Sequence, residues 1–253
     1  MKQNKVRYIS LVGGRNDMYI NHSMFDFNAR FICNYLSKAV RPLKIIGDGM
    51  YKMISVEICS GESSWKLNDY LEVLDIHLNL SGDEQLKYNS MRILEDRYEF
   101  YLSCLQRAYE YAGQYVNVPQ KELLQLHQQF REGGYKNEWI WFKKPLKEYG
   151  IYIILRCKFT TFDFTLNLEA YDIKKTTLMV EGKVFRTSPD ELCYDYKFKK
   201  VTFENDTMRI LDFLGHPNFA INLNKLKEGY FNVEYLRKVG KDDDKEIIDS
   251  ITW

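Results

Sequence analysis

The stretch 83–115 constrains this chain more than any other, because its apolar residues recur at alternating spacings of three and four. Met91, Leu94, Tyr98, Tyr101, Leu105, Ala108 and Ala112 fall on a single helical face. Arg92, Glu95, Asp96, Glu99, Gln106, Arg107 and Glu110 occupy the opposite side, so the spacing predicts one long helix, solvated on one face and covered on the other. A second helix follows. Asn117-Val118-Pro119 restarts it with proline at an early position, where the missing amide costs little, and Gly133-Gly134 ends it. Leu123, His127 and Phe130 line one side, with Leu124 beside them. The two stretches predict an antiparallel helix pair over 83–134.

Both flanks of that pair read as strands. On the N-terminal side, the apolar run 6–12 ends at Gly13-Gly14. A helix capped at Ser23, with Asp26 three residues on, then turns Phe25, Ile32, Tyr35, Leu36 and Ala39 inward until Pro42. Residues 43–46 and 50–58 predict a hairpin around Asp48-Gly49, and 70–80 predict a long strand on which Asp75 and His77 share a face. On the C-terminal side, 151–159 and 162–170 alternate as half-buried antiparallel strands. Residues 177–186 read either as a hairpin around Glu181-Gly182 or as one continuous strand. The segments 194–203 and 208–213 are joined by Glu204-Asn205-Asp206, and 219–223 adds a last short strand. Ser188-Pro189-Asp190-Glu191 reads as the capped start of a helical turn, and the charge run 241–246 as a solvated turn. The expected class is α+β with antiparallel sheets: a βαβββ part over 1–82, the central helix pair over 83–134, and a β-rich part over 135–253. A two-part single body and two independent domains fit this order equally.

Charge and cysteine usage narrow the function classes. The 36 Lys and Arg stand against 35 Asp and Glu, for a net charge of +1, and the balance holds in each third of the chain. No global field draws it to nucleic acid or to an anionic membrane, and neither partner is expected. Cys33, Cys59, Cys104, Cys157 and Cys193 are odd in number, never spaced as CxxC, and set in apolar periodic segments. They read as reduced core residues. The opening residues lack the apolar core of a signal peptide, and no apolar run approaches the ~18 residues of a membrane span, so a cytoplasmic protein is expected.

Catalytic signatures are equally scarce. No nucleophile elbow of the GxSxG type occurs; Gly61-Glu62-Ser63 lacks the second glycine after the serine. Gly13-Gly14-Arg15 precedes a helix but lacks the Lys-Ser/Thr of a phosphate loop, and reads as a plain strand-to-helix turn. Asp75 and His77 have no third metal ligand adjacent, and His127 on an apolar face reads as a satisfied core histidine. No catalytic residue, metal or cofactor is assigned. Carboxylate pairs drawn from distant parts of a chain leave no spacing to read, which keeps open an enzyme with dispersed carboxylates acting on a nucleotide or sugar.

Two aromatic groups point instead to a partner surface. Trp139, Trp141 and Phe142 stand beside Glu138, Lys143 and Lys144, and the two indoles share one side of a strand, facing either the core or a partner. Tyr194, Asp195 and Tyr196 form the second group. Trp and Tyr dominate binding hot spots, so Trp139, Trp141, Tyr194, Asp195 and Tyr196 are the candidate contacts with a protein partner. The surrounding stretch 187–198, Thr-Ser-Pro-Asp-Glu-Leu-Cys-Tyr-Asp-Tyr-Lys-Phe, together with the strands before it, resembles the immunity proteins that neutralise bacterial polymorphic toxins. The resemblance implies a non-catalytic bacterial protein that binds and inhibits a partner toxin or effector in the cytoplasm.

Overall fold

The computed structural model describes residues 3–14 and 20–236, without the side chains of His22 and Ser23. Its contacts divide the chain into two compact units, Met1–Asn137 and Glu138–Trp253. Helix makes up 32% and strand 36%, in agreement with the α+β class.

In the first unit, strand β1 (Tyr8–Gly13) leads into helix α1 (His22–Val40). The cap is Asn21, whose side chain accepts from the Met24 amide, rather than Ser23. Asp26 instead accepts from the Gly13 amide at 2.6 Å, tying the N-terminal part of the helix to the end of the strand. The hairpin expected over 43–58 does not form. Pro42 lies in a 3-10 turn, Arg41–Leu43, and Lys44 follows at φ 54°. The Ile45 carbonyl then takes the Val6 amide, and Asp48 accepts from Met50. Only β2 (Met53–Cys59) is a strand, and it pairs in parallel with β1. A strand absent from the sequence reading, β3 (Ser64–Asn68), joins the far edge, antiparallel to β4 (Val73–Asn79). Because β4 pairs in parallel with β2, the order is β1-β2-β4-β3 and the sheet is mixed; three strands do follow α1, but β3 stands in place of the strand expected over 43–46. β4 is shorter than expected, since Asn68 accepts from the Leu71 amide and Glu72 takes φ 56°, which puts Tyr70 in a turn.

The 83–115 stretch is two helices, α2 (Gly82–Ser90) and α3 (Leu94–Ala112). Met91 and Ile93 are extended, and side chains take up the carbonyls around the break: Ser90 bonds Lys87, Arg92 bonds Asn89, and Arg97 bonds Met91 twice. Glu95 and Asp96 then sit in the first turn of α3, where the helix dipole favours acids. α4 (Gln120–Glu132) forms as predicted. α3 packs against β4, α1 and α4, and its buried face therefore widens beyond the predicted stripe to include Leu102, Cys104 and Tyr109. Aromatic rings fill the space between the helices. Phe25 meets Tyr88 and Tyr101 edge-on, the two tyrosine hydroxyls lie 2.7 Å apart, and Phe31 bridges Tyr98 and Phe130.

The second unit holds two four-stranded sheets. One has the order β5 (Asn137–Leu146), β6 (Ile151–Phe159), β7 (Phe164–Asp172), β8 (Leu178–Thr187). β8 runs continuously through Gly182, the second of the two alternatives. A Cβ there would stand 2.1 Å from the Phe231 ring, so only glycine lets that ring lie against the strand. Helix α5 (Glu191–Tyr194), capped by Asp190, is the helical turn expected at 188–191, and it runs on through Tyr194, where a strand was expected to begin. The other sheet then runs β12-β11-β10-β9. β9 (Lys200–Glu204) and β10 (Thr207–Leu211) are linked by Asn205 and Asp206, both at positive φ, as a two-residue type I′ hairpin requires. β11 (Pro217–Asn222), α6 (Leu223–Lys227) and β12 (Val233–Tyr235) complete the unit. The charge run 241–246 lies outside the described residues.

Candidate interaction surface

The five residues singled out from the sequence divide between core and surface. Trp139 and Trp141 share one side of β5 and are half-buried, with ring centroids 5.9 Å from Phe164 and 4.8 Å from Phe198. Tyr194 is buried and stacks on Phe164 with centroids 3.6 Å apart and planes within 10°. Phe164 thus collects rings from both aromatic groups, and Phe198 lies parallel to it at 5.7 Å. Asp195 and Tyr196, in contrast, are exposed, and Asp195 pairs with Lys199 at 2.9 Å.

Tyr196 has neighbours that the sequence reading missed. The Phe213 amide donates to the Tyr196 carbonyl and the Lys199 amide to the Leu211 carbonyl, which sets the loop after α5 beside the turn between β10 and β11. Asp212 builds that turn. Its buried carboxylate accepts from the amides of Leu214 and His216, its own amide donates to the His216 carbonyl, and Gly215 takes φ 83°. The turn is pinned at three points while Phe213 and Leu214 stay 61% and 63% exposed. Leu192, four residues before Tyr196 on a chain that continues its helical bonding through Asp195, adds a side chain 78% exposed. Single exposed leucines are ordinary; three large apolar side chains, Tyr196, Phe213 and Leu214, on two hydrogen-bonded loops, with Leu192 on the adjoining helix α5, are not. The available signal was Phe213-Leu214 directly before Gly215-His216-Pro217, a bulky apolar pair inside a turn.

A cleft of about 430 Å³ lies elsewhere in the same unit, lined by residues including Lys144, Glu148, Tyr149, Phe203, Glu204 and Asp206. Its carboxylates are partly engaged: Tyr149 donates to Asp206 and Arg209 to Glu204. The Lys144 ammonium sits 4.4 Å from the Phe203 ring centroid.

Other candidate chemistry in the first unit is structural. His127 is fully buried beside Tyr109, ring centroids 5.7 Å apart, and neither ring nitrogen has a hydrogen-bond partner among the described residues. It is a core histidine, as expected, but not a satisfied one. Burial first, and then the positive Arg131, push its pKa down to about 4, so the ring is neutral at neutral pH. Asp75 and His77 do share a face of β4, yet no group of three or more metal-ligating side chains gathers among the described residues. The Gly13 amide of the suspected phosphate turn is already taken by Asp26, and Arg15 lies outside the described residues. No disulfide joins the five cysteines; three are buried, while Cys59 and Cys193 are half-buried. No described helix is long and apolar enough to cross a membrane. Comparison with known protein families, with curated proteins and with solved structures finds no match.

Proposed function

We propose that the chain is a non-catalytic interaction protein of the bacterial cytoplasm, an inhibitor that binds and neutralises a partner toxin or effector. The observation that carries this reading is the patch of Tyr196, Phe213 and Leu214, held out to solvent by loops that are themselves hydrogen-bonded in place, with exposed Leu192 on the helix just before Tyr196. A rigid loop presents an apolar side chain with little conformational entropy left to lose on binding, which favours a protein partner with an apolar pocket. The Asp195–Lys199 pair at the edge of the patch supplies the polar rim such interfaces carry. Core cysteines that form no disulfide support a reducing compartment.

The test is purification of the tagged chain from its native cell, with the bound protein identified and its toxicity measured in the presence and absence of the chain. A stoichiometric partner whose toxicity is relieved by the wild-type chain, but not by Phe213→Ser with Leu214→Ser, is the expected outcome. Relief by that variant equal to wild type would remove the patch from the reading. A second reading, an enzyme acting on a nucleotide or sugar, is favoured by the cleft that gathers Glu148, Glu204 and Asp206 beside Tyr149 and Phe203. It ranks below because Glu204 and Asp206 already have partners. Thermal stabilisation by a panel of nucleosides and monosaccharides, lost in Glu148→Gln, would reverse the ranking.

A further inference from the structure

The first unit carries a cleft of about 360 Å³ whose lining is almost entirely cationic: Lys5, Arg7, Arg41 and Lys44, with Tyr8. Among the described residues no carboxylate lines it, in a chain whose net charge is only +1. The backbone gathers these side chains. Asn4 donates to the Gly49 carbonyl, Val6 to Ile45 and Arg7 to Lys52, so the segment before β1 runs alongside 45–52. Val6 is buried, and along an extended chain Lys5 and Arg7 on either side of it must point the other way. The 3-10 turn Arg41–Leu43 brings the remaining two, with the Lys44 amide bonded back to the Arg41 carbonyl. Arg41 is itself fixed in place. Its Nε donates to the Arg7 carbonyl at 3.2 Å, and its guanidinium lies 4.8 Å from the Tyr8 ring centroid. None of the four cations pairs with a carboxylate among the described residues.

Like charges brought together by the backbone and not balanced by carboxylates repel one another, and a bound polyanion would relieve that repulsion. We propose that this cleft binds a compact oligophosphate, two or three linked phosphates as in pyrophosphate or the phosphate chain of a nucleotide. Two planar guanidinium forks and two mobile ammonium groups suit adjacent phosphates better than a lone carboxylate, which one fork would satisfy. The volume lies near the lower end of small-molecule sites, about 300 to 1,000 Å³. A nucleic-acid strand would need successive exposed rings on which bases stack, whereas Tyr8 is the only aromatic residue of the lining among the described residues, and Arg41 lies against its ring. This site belongs to the first unit and does not depend on the interaction patch of the second.

The test is calorimetric titration of the full chain with pyrophosphate, tripolyphosphate and orthophosphate, and with a single-stranded oligonucleotide and an oligoglutamate peptide. One-to-one binding of pyrophosphate is expected, at least tenfold tighter than orthophosphate and weakening as salt rises. Arg7→Gln and Lys44→Gln should each reduce affinity roughly tenfold, the scale of one lost charge-assisted hydrogen bond. Lys200→Gln, in the second unit, should bind as wild type. Melting curves confirm that each variant is folded, and because the two cleft variants are exposed and independent, either one alone decides the assignment. Absence of pyrophosphate binding, equal loss in Lys200→Gln, or oligonucleotide or oligoglutamate binding that pyrophosphate does not displace would each overturn the proposal.

Discussion

His127 shows how one buried side chain sets a pH dependence for the whole fold. The folded ring resists protonation until about pH 4, whereas in the unfolded chain it takes up a proton near 6.5. Between those values the unfolded state binds more protons, so stability is fully present above about pH 6.5 and falls by on the order of 3 kcal/mol as pH drops toward 4. Denaturant midpoints measured across that window should fall for the wild type and flatten in His127→Phe; an unchanged slope in the variant would assign the effect to another group. Trp141 gives a second expectation at this scale. Its ring rests edge-on against buried Phe198, so Trp141→Ala should lower stability by about 2 to 3 kcal/mol, somewhat below the loss for a fully buried indole. Phe213→Ala, at 61% exposure, should change the denaturation midpoint little. The sequence identified Trp139 and Trp141 as sharing one side of a strand, because side-chain alternation is local. Which side faced Phe164 and Phe198 was decided by residues more than twenty positions away.

Among the elements, those that formed as read are the ones whose signals are complete within a few residues. α4 begins after Pro119 and ends at Gly133, and α5 begins at the Asp190 cap. The interrupted helix is the instructive exception. A periodic stripe continues through Met91 and Leu94, yet periodicity says nothing about whether the backbone between them stays helical, and three side chains supply the local carbonyls with other donors. β3 escaped notice because Ser64-Trp65-Lys66-Leu67-Asn68, although it alternates, is only five residues long and runs straight out of the Ser-Gly-rich loop 60–64; its pairing with β4 makes it a strand. In β8, Gly182 looked as much like a turn as a strand residue, and the Phe231 ring explains its presence. Gly182→Ala should therefore destabilise the protein by about 1 to 3 kcal/mol through overpacking against that ring. Combination with Phe231→Ala should recover part of the loss; a Gly182→Ala protein as stable as wild type would show that the ring is free to move aside.

At the level of the whole molecule, the boundary between the two units falls at Asn137, past the helix end at Gly133 that the sequence marks. Tyr135 donates to Glu99 at 2.7 Å, while the Asn137 side chain donates to the Phe31 carbonyl and to Asn34. A fragment of residues 1–137 should fold with a cooperative thermal transition and a helical dichroism spectrum, and one ending at 134 should be less stable by about 2 kcal/mol or more for want of those contacts. Equal midpoints for the two fragments would refute the role given to Tyr135 and Asn137. The α+β class, the position of α4 and most strands of the second unit were settled by the sequence alone, since turn chemistry and the period of the apolar residues act between near neighbours. The parallel pairing of β1, β2 and β4, the burial of Tyr194, the exposed patch of Tyr196, Phe213 and Leu214, and the convergence of Lys5, Arg7, Arg41 and Lys44 were decided only by tertiary structure. Each joins segments whose neighbourhood is set by backbone pairing across the fold, and no spacing along the chain encodes which distant strand or loop will supply the other half.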